Sequence, residues 1–155
     1  MERGSDCCGL APVASNRETC PACQTKGRAV AELTVKALLT EAALRRFSQG
    51  AYRFCAGSDC PVVYFSDAGQ IFSTGDLRVA VWQKEPPGDR MICYCFGETE
   101  AVMRTEMLRD GTTNAVHRVR EHIEARRCAC EVRNPRGVCC LGDLTQAVKR
   151  MAPHA

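Results

Sequence analysis

Cys93-Tyr94-Cys95, and further on Cys130-Glu-Val-Arg-Asn-Pro-Arg-Gly-Val-Cys139-Cys140, are the stretches on which the reading of this chain turns. Two cysteines one residue apart can both ligate a compact metal centre. A second cysteine group beyond an intervening helical segment can close the shell, an arrangement suited to an iron–sulfur cluster. Asn134-Pro135-Arg136-Gly137 has the composition of a tight turn, which would fold the following cysteines back toward Cys130.

Working outward, an earlier set has the spacing of a zinc site: Cys20-x2-Cys23 and Cys55-x4-Cys60. Each pair lies at a turn beside strand-like residues. Two facing turns place four thiolates at the corners of a tetrahedron and leave no position open for water, so the expected role is structural. Neither knuckle contains a His or a carboxylate. Cys20-Pro-Ala-Cys23 lacks the βαβ context of a thioredoxin-like redox motif.

Twelve cysteines in 155 residues imply either a secreted disulfide scaffold or a metal protein. The N-terminus has no basic-then-apolar leader pattern, no apolar run is long enough for a bilayer, and the cysteines cluster in close pairs. These features favour a cytoplasmic metal protein without membrane insertion. Eight ionised ligand thiols and two bound metal centres would take the formal charge from +3 to about −1, so the apparent basicity does not argue for nucleic acid. The sequence offers no Ser–His–Asp set, paired catalytic carboxylates, phosphate loop or nucleotide fingerprint.

The expected class is α+β: a small zinc-ribbon-like β domain over 17–85, a linker over 86–90 and a small helical [2Fe–2S] domain over 91–153, after a flexible tail over 1–16. In the first domain Thr40 caps a helix bearing Ala43, Leu44 and Phe47, and strands run through Tyr52 and Phe54, through Val62–Phe65, and through Leu77, Val79 and Val81. In the second, Thr99 caps a helix with Val102, Met103 and Met107 inward and Gly111 ending it. Thr112 or Thr113 caps the next, with Val116, Val119 and Ile123 on one face. A third runs from Asp143 with Leu144, Val148 and Met151 aligned. Trp82 reads as core, Tyr94 as a shield for the cluster or an ordinary packing residue, and His117 and His122 as solvent-facing.

The cluster half resembles the bacterioferritin-associated ferredoxin type of [2Fe–2S] domain. More closely, Ile92-Cys-Tyr-Cys-Phe-Gly97, the Asn-Pro-x-Gly-x-Cys-Cys motif and Phe54-Cys…Cys-Pro-Val-Val-Tyr-Phe65 resemble the N-terminal region of CopZ-type copper chaperones, where a zinc half precedes a [2Fe–2S] half. The resemblance implies zinc at Cys20, Cys23, Cys55 and Cys60, and a cluster at Cys93, Cys95, Cys130 and one of Cys139 and Cys140, of which Cys139 is chosen. Cys128 is the rival of Cys130. It also implies single-electron transfer in copper homeostasis, transient Cu(I), and a partner that is a copper chaperone domain, a copper-transporting ATPase or another redox protein. The chain reads as a carrier and not an enzyme, with Cu(II) reduction as its reactive step. A Met-x-Cys-x-x-Cys copper motif does not occur in it. A general small ferredoxin and a redox-silent adaptor or sensor are the competing readings. Cys7-Cys8 is a further soft-metal candidate.

Overall fold

The computed structural model describes residues 17–153; the 1–16 segment, with Cys7 and Cys8, lies outside the described residues. The fold is α+β, as expected. Its first part is β1 (Arg28–Val30), α1 (Glu32–Leu38), α2 (Glu41–Leu44), β2 (Tyr52–Phe54), β3 (Val62–Ser66) and β4 (Ile71–Ser73). The strands form one antiparallel sheet in the order β1-β2-β3-β4, with Phe54 opposite both Arg28 and Tyr64.

β3 is buried along its whole length because two apolar groups meet on it. Val63 and Tyr64 join Val35, Leu39, Tyr52, Phe54 and Phe72 in the larger core. Val62 and Phe65 pack with Cys20, Cys55 and Cys60. The register of β3 against β4 shifts between Val62 and Tyr64, the kind of irregularity that re-aims side chains.

Two expectations fail here for identifiable reasons. The helix capped by Thr40 does form, its Oγ1 accepting from Ala43 N at 3.2 Å, but it stops at Leu44. Phe47 instead stacks on Tyr52 at 5.4 Å. The third strand falls at Ile71–Ser73 and not at Leu77–Val81. The turn at Gly69 (φ +89°) returns the chain to β3 at once, and Asp76 then ends the strand by accepting from Ser73 N at 2.8 Å. Leu77 and Val81 are buried in the larger core, outside any strand. α1 had no clear signal in the sequence.

The second part holds a two-stranded sheet, β5 (Met91–Cys93) and β6 (Glu98–Thr99), then α3 (Glu100–Asp110), α4 (Ala115–Glu124), α5 (Cys130–Arg133) and α6 (Leu141–Met151). Its core is Ile92, Met103, Ala115, Val119, Leu144 and Ala147, with both buried members of the later cysteine group, Cys93 and Cys140, built into it. Thr99 caps α3 by accepting from Val102 N at 3.2 Å, and Gly111 at φ +73° ends it. That cap sets the phase of the helix so that Glu100 and Met103 face inward and Val102, expected inside, is 44% exposed. Asn114, not a threonine, precedes α4, though Thr113 Oγ1 accepts from Ala115 N at 3.2 Å. Arg118 of α4 grips Glu98 through two bonds, at 2.7 and 2.8 Å, and Glu106 through a third at 2.7 Å.

The two parts are locked together. Tyr64 Oη donates to the Pro135 carbonyl at 2.6 Å, and α1 packs on α5. Gly137, at φ +67°, sits so close to α1 that a Cβ there would lie 2.7 Å from Thr34 Oγ1. The 86–90 stretch, read as a linker, is pinned to α3: Gly88 N donates to Glu100 at 3.0 Å, and Arg90 pairs with the same carboxylate at 2.5 Å. Trp82 packs against the second core, with Arg90 over its ring.

Gly137→Ala is expected to destabilise the protein by about 1–3 kcal/mol through the left-handed backbone and the Thr34 contact; thermal unfolding measures it, and an unchanged midpoint refutes the tight junction. Burial raises the pKa of Glu100, but the Arg90 and Gly88 bonds outweigh it and hold the carboxyl below its ordinary value of 4.5. The unfolded chain therefore binds this proton first, so the contribution of Glu100 is present above pH 4.5 and is lost as pH falls through the lowered folded value. Glu100→Gln is expected to flatten the acid limb of a stability–pH curve.

Candidate metal centres

The first centre is built from two tight loops. Cys20 N donates to Thr25 O at 2.8 Å and Gln24 N to Cys20 O at 2.9 Å, with Gln24 at φ +63°; this curls Cys20–Cys23 into a knuckle. Opposite it, Cys60 N donates to Gly57 O at 3.3 Å, while Cys55 N is held by Val63 O at 2.8 Å. The Sγ atoms of Cys20, Cys23, Cys55 and Cys60 all lie within 4.8 Å of one another. Cys20–Cys60 are 3.8 Å apart and Cys23–Cys55 3.5 Å. A Zn–S bond of about 2.3 Å puts tetrahedral sulfur edges at roughly 3.8 Å. Both separations suit that figure and are far from a disulfide's ~2.05 Å. The four thiols predicted for zinc are thus brought together.

Two neighbours were not legible as part of the site. Gly57 leaves the space the sulfurs use: a Cβ there would lie 3.1 Å from Cys23 Sγ. Lys84 donates its Nζ to Gly57 O at 2.8 Å and Cys60 O at 2.9 Å, setting a cation beside the thiols. Its position depends on the short 3-10 turn Trp82–Lys84, which had no sequence signal. Burial pushes the Cys55 thiol up to about 12 and raises Cys60 too, while hydrogen bonding with Thr25 lowers Cys23 to about 6. A metal entering this site must therefore displace protons from buried thiols.

The later cysteines form two close pairs. Cys95 and Cys130 Sγ are 3.7 Å apart. Cys93, at the end of β5, and Cys140 share one buried core, and their thiols interact so that Cys93 is lowered to about 7 and Cys140 is raised. Burial raises Cys130 to about 12. Among the described residues, no three of these thiols gather within 4.8 Å as the first set does. The amide of Ala129 donates to Cys95 Sγ at 3.3 Å.

The structure places Cys140, not Cys139, on this inner side: Cys140 is 2% exposed and Cys139 is exposed. The cause is local. The predicted turn forms, with Gly137 N donating to Asn134 O at 2.7 Å, and buried Asn134 fixes its exit by donating Nδ2 to Val138 O at 2.8 Å. Cys140 then becomes the residue before α6, packed with Leu144 and Ala147. Cys128 is exposed as well. Tyr94 points away from the sulfurs, donating to Ala80 O at 2.6 Å and accepting from Trp82 N at 3.0 Å. His117 is exposed as expected, but His122 stacks on Phe96 at 3.9 Å.

Residues 17–78 match the family model described as the zinc binding domain of CopZ. The X-ray structure of the Archaeoglobus fulgidus CopZ N-terminal domain superposes with a TM-score of 0.70 at 31% identity, covering 88% of this chain and 99% of that one. The chain belongs to the CopZ family. The copper chaperone CopZ of the same organism is 34% identical over 122 residues, which are 78% of this chain and 57% of the chaperone. The chain therefore spans little more than half the length of that CopZ protein. None of the described helices is long and apolar enough to cross a membrane.

Cys55→Ser is expected to abolish retention of about one zinc per chain and to lower the thermal midpoint, because metal affinity is folding free energy at such a site. Lys84→Met is expected to keep the fold while weakening zinc by roughly 10- to 100-fold, as removal of an outer-shell partner does. Competition with a chromophoric chelator measures both.

Proposed function

We propose that this CopZ-family chain is a cytoplasmic carrier of one zinc and one [2Fe–2S] cluster that serves copper homeostasis by passing single electrons to Cu(II). The zinc unit over 17–85 is the scaffold, and the 91–153 unit carries the cluster. Zinc goes to Cys20, Cys23, Cys55 and Cys60, and the cluster to Cys93, Cys95, Cys130 and one of Cys139 and Cys140, the latter favoured by its burial.

The observation that carries the reading is the convergence of thiols, Cys95 with Cys130 at 3.7 Å and Cys93 with Cys140 inside one buried core. A mononuclear tetrathiolate needs all four sulfurs together, as in the zinc set. Two separate pairs suit two metal atoms, each gripped by two thiolates. The copper role rests on the relative that bears the name copper chaperone CopZ. All ten described cysteines are free thiols, which accords with a reducing compartment.

When bound, a [2Fe–2S] centre gives up one electron on oxidation, and one electron converts Cu(II) to Cu(I). The chain's own residues set the conditions for that exchange. Ile92, Met103 and Leu144 wall Cys93 and Cys140 from water. The Ala129 amide places a donor on Cys95 sulfur, a contact that favours added negative charge. Cys130, half-buried, lies on the side open to solvent, where a copper complex or a copper-transporting partner can approach.

Anaerobically isolated protein is expected to hold about two irons and two sulfides beside its zinc. Cys140→Ser loses the iron and Cys139→Ser retains it. The chemically reduced protein converts Cu(II) to Cu(I) faster than its Cys93→Ala form; equal rates, or iron-free wild-type protein, defeat the proposal.

A further inference from the structure

Two thiols remain outside both centres among the described residues, Cys128 and Cys139, and both are exposed. They line the same open depression of about 450 Å³, together with Cys130, Glu131, Val132 and Gly137. α5 and the Asn134–Gly137 turn fold the chain between them back on itself. Asn134 N is held by Cys130 O at 2.9 Å, and Asn134 Nδ2 holds Val138 O at 2.8 Å. The fold therefore brings to one rim two cysteines that eleven positions separate in sequence.

The lining selects a class of ion. Cys130 Sγ is paired with Cys95, 3.7 Å away, so Cys128 and Cys139 are the two lining cysteines left to the depression. Two thiolates are too few for the four-coordinate shell of a structural zinc. They suit a soft ion content with few ligands, and thiolate softness favours Cu(I) among the common metals. Val132, 39% exposed, lines the same depression with apolar surface that disfavours a strongly hydrated ion.

We propose that Cys128 and Cys139 form a two-thiolate docking site for Cu(I) on the outer face of the cluster loop. The choice of ion rests on the copper reading above. Copper arrives as a complex with a small thiol. Each cysteine forms a Cu–S bond and gives up its proton, each carrier thiolate leaves and takes up a proton, and copper stays in the +1 state throughout. The site would hold copper beside Cys130, which lines the same depression.

The test uses the full chain with Cys7→Ser and Cys8→Ser, so that the N-terminal pair does not contribute. Anaerobic competition with a chromophoric Cu(I) chelator is expected to show about one copper retained per chain, with two sulfur neighbours by X-ray absorption. Cys128→Ser and Cys139→Ser are each expected to lower the affinity by more than about a hundredfold, beyond the effect of an outer-shell change, with iron and zinc contents unchanged. Undiminished affinity in either variant overturns the proposal. So does copper uptake matched by zinc release, which would place the ion at Cys20–Cys60, and so does loss of iron on replacing Cys139. Iron-free protein that still holds copper through this pair would sink the [2Fe–2S] reading and leave the docking site standing.

Discussion

Four sulfur atoms stand within 4.8 Å of one another at one end of the four-stranded sheet. As thiolates they would repel strongly, and as buried thiols three of them would waste a set of ligands that the backbone has gone to some trouble to converge. A dication resolves the conflict by replacing protons and neutralising charge at once. The packing around it follows from that requirement. Val62 and Phe65 close over the sulfurs from β3, Gly57 keeps a side chain out of their way, and Lys84 brings a further positive charge. The apolar groups elsewhere are small, and units of such size commonly need a metal to hold them.

The same strand that shields the first centre reaches the second. Tyr64 lies on β3 and its hydroxyl holds the Pro135 carbonyl, in the turn between Cys130 and Cys140. Trp82 and Tyr94 make a second tie, through the segment that also carries Lys84. The cysteine-bearing loops of the later part are thus braced from two sides by residues of the earlier one. This gives the zinc scaffold a mechanical role at the other centre, with no direct contact between the two sets of sulfur.

The sequence disclosed what short-range chemistry controls. Cys20, Cys23, Cys55 and Cys60 were legible because zinc knuckles have tight spacing. Thr40, Thr99 and Gly111 were legible because caps act within one turn. The Asn134–Gly137 turn was legible from its proline and glycine. What escaped depends on rotation and on distance along the chain. The difference between Cys139 and Cys140 is one step at the entrance to α6, set by the Asn134–Gly137 turn, the Asn134 bond to Val138 and the packing of Cys140 on Leu144 and Ala147. Val102 and Met103 differ in the same way on α3. Lys84 reaches a carbonyl twenty-four positions away, and no local pattern marks that. The short β4 was misplaced because a tight hairpin, and not alternation, decides where it begins.

Of the four corners of the first centre, Cys23 alone is exposed, while Cys20 and Cys55 are fully covered. Hydrogen bonding with Thr25 also makes it an easier thiol to ionise than Cys55 or Cys60. Access to an ion held by these four sulfurs would therefore be one-sided. A metal held here would present one solvent-facing ligand, the Cys23 thiolate, so an incoming ligand would meet that corner first. The knuckle at residues 20–23 thus carries both the open corner of the site, at Cys23, and one of its covered corners, at Cys20.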